Sequence, residues 1–115
     1  MHDEIRTEHV AAHVIVVAPS GELDVASAVE LVDALDAAFA TVPTVVLDLS
    51  EVTFIDSSIV GAVASTSRAV AGLPDARFVV VSPPGSRPRR VFEMVDAEQV
   101  ATLYDDRSAA LTSTG

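Results

Sequence analysis

Two kinds of hydrophobic pattern alternate along the chain, and together they predict its elements. Val14, Ile15, Val16 and Val17 form an unbroken β-branched run, Val45 to Leu49 is apolar except for Asp48, and Phe78 to Val81 is a further run, each bounded by Pro, Ser or acidic residues. Runs that do not alternate predict strands covered on both faces, as in parallel sheets. A weaker run from Ile5 to Val10 precedes the first, with Ala11 to His13 as the hairpin connection, and a short strand is expected over Val100 to Tyr104.

Between these runs the period changes to that of a helix. Ala28, Leu31, Val32, Leu35, Ala38 and Phe39 follow i, i+3, i+4, i+7 spacing, with Glu30, Asp33 and Asp36 on the opposite side and Asp24 placed as N-cap. A second helix is predicted from Ser57 to Ala71, stopped near Gly72, Leu73 and Pro74. Arg68 is its only charge. A third helix starts around Ser86 with Pro88 in its first turn and runs through Val91, Phe92 and Met94, and a last helical turn covers Asp106 to Leu111. The order β, β, α, β, α, β, α, β, α predicts an α/β fold: a mixed, mainly parallel sheet of four to five strands with helices packed on it and an antiparallel first strand. The 115 residues suit one domain over 1–115, which buries roughly 65% of its unfolded surface.

Composition narrows the chemistry. Half the residues are hydrophobic but only 4% aromatic, so the core must be built from Val, Ala, Leu and Ile. Seventeen acids against seven arginines give a formal charge of -10, which opposes association with nucleic-acid phosphates or anionic lipid and points to a protein or small-molecule partner. There is no cysteine, hence no disulfide or thiolate chemistry. No segment approaches the roughly 20 apolar residues of a membrane span, and the acidic N-terminus is unlike a secretory signal. A cytoplasmic protein is expected.

The informative segment is Asp56-Ser57-Ser58, between a strand-like run and a helix. On spacing alone this is a helix cap, the Asp56 carboxylate accepting from orphan backbone amides. Ser57 and Ser58 then fall in the first turn, where the helix N-terminus favours negative charge and a phosphate would be tolerated. A second acidic loop, Ser20-Gly21-Glu22-Leu23-Asp24, also ends a strand and opens a helix. Strand ends of an open α/β sheet lie on one edge, so the Asp24 and Asp56 loops are expected to be neighbours.

With Gly21-Glu22-Leu23-Asp24, Val46-Leu47-Asp48-Leu49-Ser50, Phe54-Ile55-Asp56-Ser57-Ser58 and Arg90-Val91-Phe92-Glu93-Met94 with Val100 to Tyr104, the chain resembles STAS-domain proteins of the anti-sigma factor antagonist type over nearly its whole length. The resemblance implies a non-enzymatic module without a cofactor or metal. It implies phosphorylation of the residue after the motif aspartate, Ser57, with Ser58 the adjacent alternative. It also implies a partner, an anti-sigma factor that is often itself the serine/threonine kinase. The unphosphorylated antagonist binds this partner and frees the sigma factor; phosphorylation breaks the complex. Gly21, Asp24, Asp56, Ser57, Ser58 and Ile59 are the expected contact residues, in a monomer or weak dimer. Ile59 stands where the family usually has glycine, a feature shared with stressosome scaffold subunits, which keeps as the alternative a stressosome-like scaffold subunit or a STAS component of another complex. Gly61 matches the next family glycine.

Other chemistry finds little support. His2, His9 and His13 sit on terminal, strand or hairpin positions and read as surface residues. There is no Gly-x-Ser-x-Gly nucleophile elbow, Walker motif or dinucleotide fingerprint. Arg87, Arg89 and Arg90 form the only basic cluster and read as a solvated helix end, with a phosphate or an acidic partner as the functional reading.

Overall fold

The β-branched runs assemble as the sequence patterns require. In the computed structural model, which describes residues 5–95 and 101–114, β1 (Ile5–Ala11) and β2 (Val14–Leu23) form an antiparallel hairpin. Then follow α1 (Val25–Phe39), β3 (Thr44–Asp48), β4 (Glu51–Ile55), α2 (Ser57–Ala71), β5 (Arg77–Val81), α3 (Arg87–Met94), β6 (Thr102–Tyr104) and α4 (Arg107–Thr114). The six-stranded sheet runs in the order β1-β2-β3-β5-β6, with β4 pairing to β2, and every pair after the first is parallel.

Every residue of β3 is buried, because the sheet is covered on both faces. On one face Ile15, Val17, Val45, Leu47, Phe78 and Val80 pack beneath Leu31 and Leu35 of α1, Ile59 and Val63 of α2 and Phe92 of α3. On the other, Val14, Val16, Ala18, Val46, Val79 and Val81 lie under Ala110 and Leu111 of α4. Alternate residues of each strand therefore serve two separate cores.

Three elements differ from the sequence expectation. β2 continues to Leu23 instead of ending with its valine run, α4 reaches Thr114, and an additional strand, β4, brings the count to six. The expected last strand is present over Thr102–Tyr104, while Val100 lies outside the described residues.

β4 matters most for the site. After β3, the Asp48 carboxylate accepts from the Ser50 amide at 2.9 Å and the Ser50 hydroxyl at 2.6 Å, which turns the chain. β4 then pairs with the second half of β2, so β2 is flanked first by β3 and further along by β4.

Candidate functional site

Leu23 and Ile55 are register partners at the ends of β2 and β4, both in the core. The next residue in each chain segment is an aspartate, so Asp24 and Asp56 leave the sheet side by side. Each caps a helix. Asp24 Oδ1 accepts from the amides of Ala26 at 3.1 Å and Ser27 at 3.2 Å, and from the Ser27 hydroxyl at 3.3 Å. Asp56 Oδ1 accepts from the amides of Ser58 at 2.9 Å and Ile59 at 3.4 Å, and from the Ser58 hydroxyl. The capping roles and the neighbouring loops are thus as the sequence predicts. The Ser58 hydroxyl, joined by the amides of Ser58 and Ile59, holds the Asp56 carboxyl below the usual carboxylate range, outweighing the desolvation that pushes it up.

The two serines differ. Ser58 is half-buried and its hydroxyl is engaged by the cap, whereas Ser57, the first residue of α2, is exposed and its hydroxyl makes no hydrogen bond among the described residues. Ser57 lies where the partial positive charge of the helix N-terminus is greatest.

Gly21 shapes this edge through its backbone. The β2–β4 register shifts between Gly21 and Glu22, and Gly21 takes φ +82, a left-handed conformation that a side chain disfavours. The bulge sets where Leu23, and with it Asp24, stands against Ile55 and Asp56.

Ile59 corrects one expectation. Placed among the contact residues by sequence, it is fully buried, on the inward stripe of α2 with Ala62, Val63, Thr66 and Val70. Its side chain fills the core and offers no surface to a partner.

The basic cluster divides. Arg89 Nη1 donates to the Ser82 carbonyl at 2.6 Å and to Asp105 at 3.2 Å, tying α3 to the ends of β5 and β6, while Arg87 and Arg90 remain exposed. His9 and His13 are exposed, and His2 lies outside the described residues. Among the described residues no cluster of His, Cys, Asp or Glu could hold a metal, and no helix is long and apolar enough to cross a membrane.

Sequence reasoning missed one buried ionic group. Asp48 is 5% exposed, and its Oδ2 accepts from Arg107 Nε at 2.8 Å while Arg107 Nη1 meets Glu8 at 2.6 Å. The signal was available: an acid inside an apolar run requires a cation or donors close by.

A family model for the STAS domain matches residues 5–110. Comparison by sequence with curated proteins gives no significant match. Among solved structures, the chain is similar to an anti-sigma factor antagonist from Mycobacterium paratuberculosis, with 29% identity, 97% of this chain and 93% of the other covered, and a TM-score of 0.86. It has the same fold as the anti-sigma factor antagonist SpoIIAA in its unphosphorylated form, at 21% identity and TM-score 0.72, covering 96% of both chains. The phosphorylated form of that Bacillus cell fate determinant matches equally, at 21% identity and TM-score 0.72, with 97% of this chain and 100% of the other covered. With the profile spanning all but the ends of the sequence and the sheet order, antiparallel first strand and helix layers in place, this chain belongs to the STAS domain family.

Proposed function

We propose that this protein is an anti-sigma factor antagonist: a single-domain, cytoplasmic binding module, monomeric or weakly dimeric, switched by phosphorylation of Ser57. Its partner is an anti-sigma factor that is also the serine/threonine kinase, and the chain itself carries out no catalysis. The observation that carries this reading is the state of Ser57. It is exposed, it opens α2, and its hydroxyl is unengaged among the described residues, while the neighbouring Ser58 hydroxyl is held by Asp56. A kinase needs such a hydroxyl, and a partner surface can accept it while it is uncharged.

Phosphorylation adds about -1.5 to -2 charges. Within the fold, the N-terminus of α2 offsets part of that charge. In a complex, the same dianion would be held beside Asp24 and Asp56 with water excluded. At about 6 Å and an effective dielectric near 40, two charges against one cost roughly 3 kcal/mol, on the order of a hundredfold in affinity. The kinship in fold with a protein solved in both unphosphorylated and phosphorylated forms supports the same reading.

The test is incubation with ATP and each serine-kinase anti-sigma factor of the organism, followed by peptide mass spectrometry and binding measurements. Ser57 gains the phosphate, Ser57→Ala binds constitutively, and Ser57→Asp does not bind. Unchanged phosphorylation and binding in both variants would refute the switch. The scaffold alternative drew on Ile59, whose burial gives that residue a packing role. Size-exclusion chromatography separates the two, a large assembly favouring the scaffold.

A further inference from the structure

β1 carries a backbone edge that the fold leaves unpaired. The strand ends the sheet order, bonded to β2 on one side, and among the described residues no strand pairs with its other side. Such an edge is a template for a further strand, which proteins commonly block with proline, lysine or a very short strand. β1 runs for seven residues, Ile5–Ala11, and contains neither proline nor lysine. Its regular part is shorter, because the register to β2 jumps between His9 and Ala11 and a bulge bends the strand there. The usable template is residues 5–9, centred on Thr7.

Charge selects the occupant. Arg6 and Glu8 register with Ala18 and Val16, which lie in the core under α4, so both side chains stand on that face of the sheet. If two β1 edges pair about a two-fold axis, with each helix layer kept on its own face, opposed residues differ by an even number of positions. The axis then passes through a residue. Through Arg6 it sets Arg6 against itself, and through Glu8 it sets Glu8 against itself, both like-charge contacts. Through Thr7 it places Arg6 opposite the partner's Glu8 and Glu8 opposite the partner's Arg6, with Cβ atoms about 4.5–5.5 Å apart. That register also pairs every residue of the template. The strand is complementary to a copy of itself.

The ion pairs of the fold point the same way. Arg107 stands between two carboxylates, Asp48 at 2.8 Å and Glu8 at 2.6 Å, so the group keeps an uncompensated negative charge. Arg6 is exposed and, among the described residues, forms no ion pair. We infer that β1 is a self-association edge: two copies join antiparallel about Thr7 into one continuous sheet, and Arg6 of each balances the Asp48–Arg107–Glu8 group of the other. A template of roughly 17 Å and a charge of -10 on each copy make this a weak dimer, populated at high concentration. The two-fold reverses strand direction, so the Asp56–Ser57 edges of the two copies point opposite ways and both stay open. The inference is independent of the antagonist reading.

The test is sedimentation equilibrium of the full chain at concentrations up to about 1 mM. Wild type shows a reversible monomer–dimer equilibrium. Arg6→Glu sets carboxylate against carboxylate and weakens association at least tenfold, with the circular dichroism spectrum and thermal midpoint retained. Arg90→Glu makes the same change of net charge on α3 and associates as wild type. Glu8→Arg alone also weakens association, but mixed with Arg6→Glu it forms a heterodimer, because opposite charges then meet at both positions. A wild-type chain that stays monomeric throughout overturns the inference. So does a dimer that Arg6→Glu leaves intact, which places the contact on another face. If Arg6→Glu and Arg90→Glu weaken association alike, net charge governs it and strand pairing is refuted. Two folded variants that fail to form the heterodimer overturn the Thr7 register. Should Glu8→Arg lose its fold with the Arg107 link, the contrast of Arg6→Glu with Arg90→Glu decides alone.

Discussion

Arg107 Nε donates to Asp48 Oδ2 at 2.8 Å, across 59 positions of sequence, and joins the C-terminal helix to the central strand β3. The same guanidinium meets Glu8 on the edge strand at 2.6 Å, so one side chain links α4 to two strands. The Asp48 side chain is only 6% exposed, whereas that of Arg107 is 34% exposed. Removing the arginine therefore leaves a nearly buried carboxylate supported by Ser50 alone. Allowing for water reaching the guanidinium, Arg107→Ala should lower stability by about 2 kcal/mol, measured as a shift of the urea midpoint. A loss below about 0.5 kcal/mol would mean that solvent replaces the arginine.

The same group gives stability an acid limb. Burial pushes the Asp48 carboxyl up, but the hydroxyl and amide of Ser50 and the guanidinium of Arg107 together outweigh it and hold the group below its ordinary value. A carboxyl depressed in the folded state contributes stability that is complete above the ordinary value near 4 and is lost as pH falls through the folded value. Asp56 is depressed in the same direction and adds to the effect with the same sign. Denaturation midpoints should thus be insensitive to these groups between pH 7 and about pH 5 and fall below about pH 4. Asp48→Asn should flatten part of that fall; an unaltered profile would place the acid sensitivity elsewhere.

The elements legible in the sequence are those whose signal is local. Continuous β-branched runs identified β3 and β5, the i, i+3, i+4 spacing identified α1, and Asp24 and Asp56 were readable as caps because a cap acts within three residues. β4 was not legible, for a reason carried by its partner. The register shift at Gly21 and Glu22 leaves both Thr53 and Phe54 exposed, so Glu51–Ile55 loses the strict alternation of a half-buried strand. The continuation of β2 was hidden by Pro19 and Gly21, residues that usually interrupt strands. The Asp48–Arg107 pair is a long-range contact with no local spacing to reveal it. Ile59 was read from its place in a motif, while its burial follows from the inward stripe of α2.

Gly21 carries a separate prediction. With φ +82, an alanine there would be held in a left-handed conformation costing about 1–2 kcal/mol. Gly21→Ala should lower the thermal midpoint by roughly 4–8 °C. Relief of the strain by straightening the bulge would change the Glu22–Phe54 register and displace Asp24 from Asp56, so partner affinity should fall alongside. An unchanged midpoint would show that the β2–β4 ladder absorbs the side chain without strain.

The two serines allow the sharpest contrast, because stability and modification should respond to them in opposite ways. Ser58→Ala removes the hydroxyl donor to Asp56, leaving two amide donors. The thermal midpoint should drop by about 2–4 °C, the Asp56 carboxyl should move back toward its ordinary value, and phosphate uptake should persist at Ser57. Ser57→Ala removes an exposed, unengaged hydroxyl and introduces a better helix former, so the midpoint should hold or rise slightly while phosphate uptake is lost. Thermal melts of both variants, read beside phosphate incorporation by the same kinase, separate a capping serine from an acceptor. Should Ser58→Ala abolish uptake and Ser57→Ala leave it intact, the acceptor would be Ser58, and the cap would have to open for the kinase to reach it.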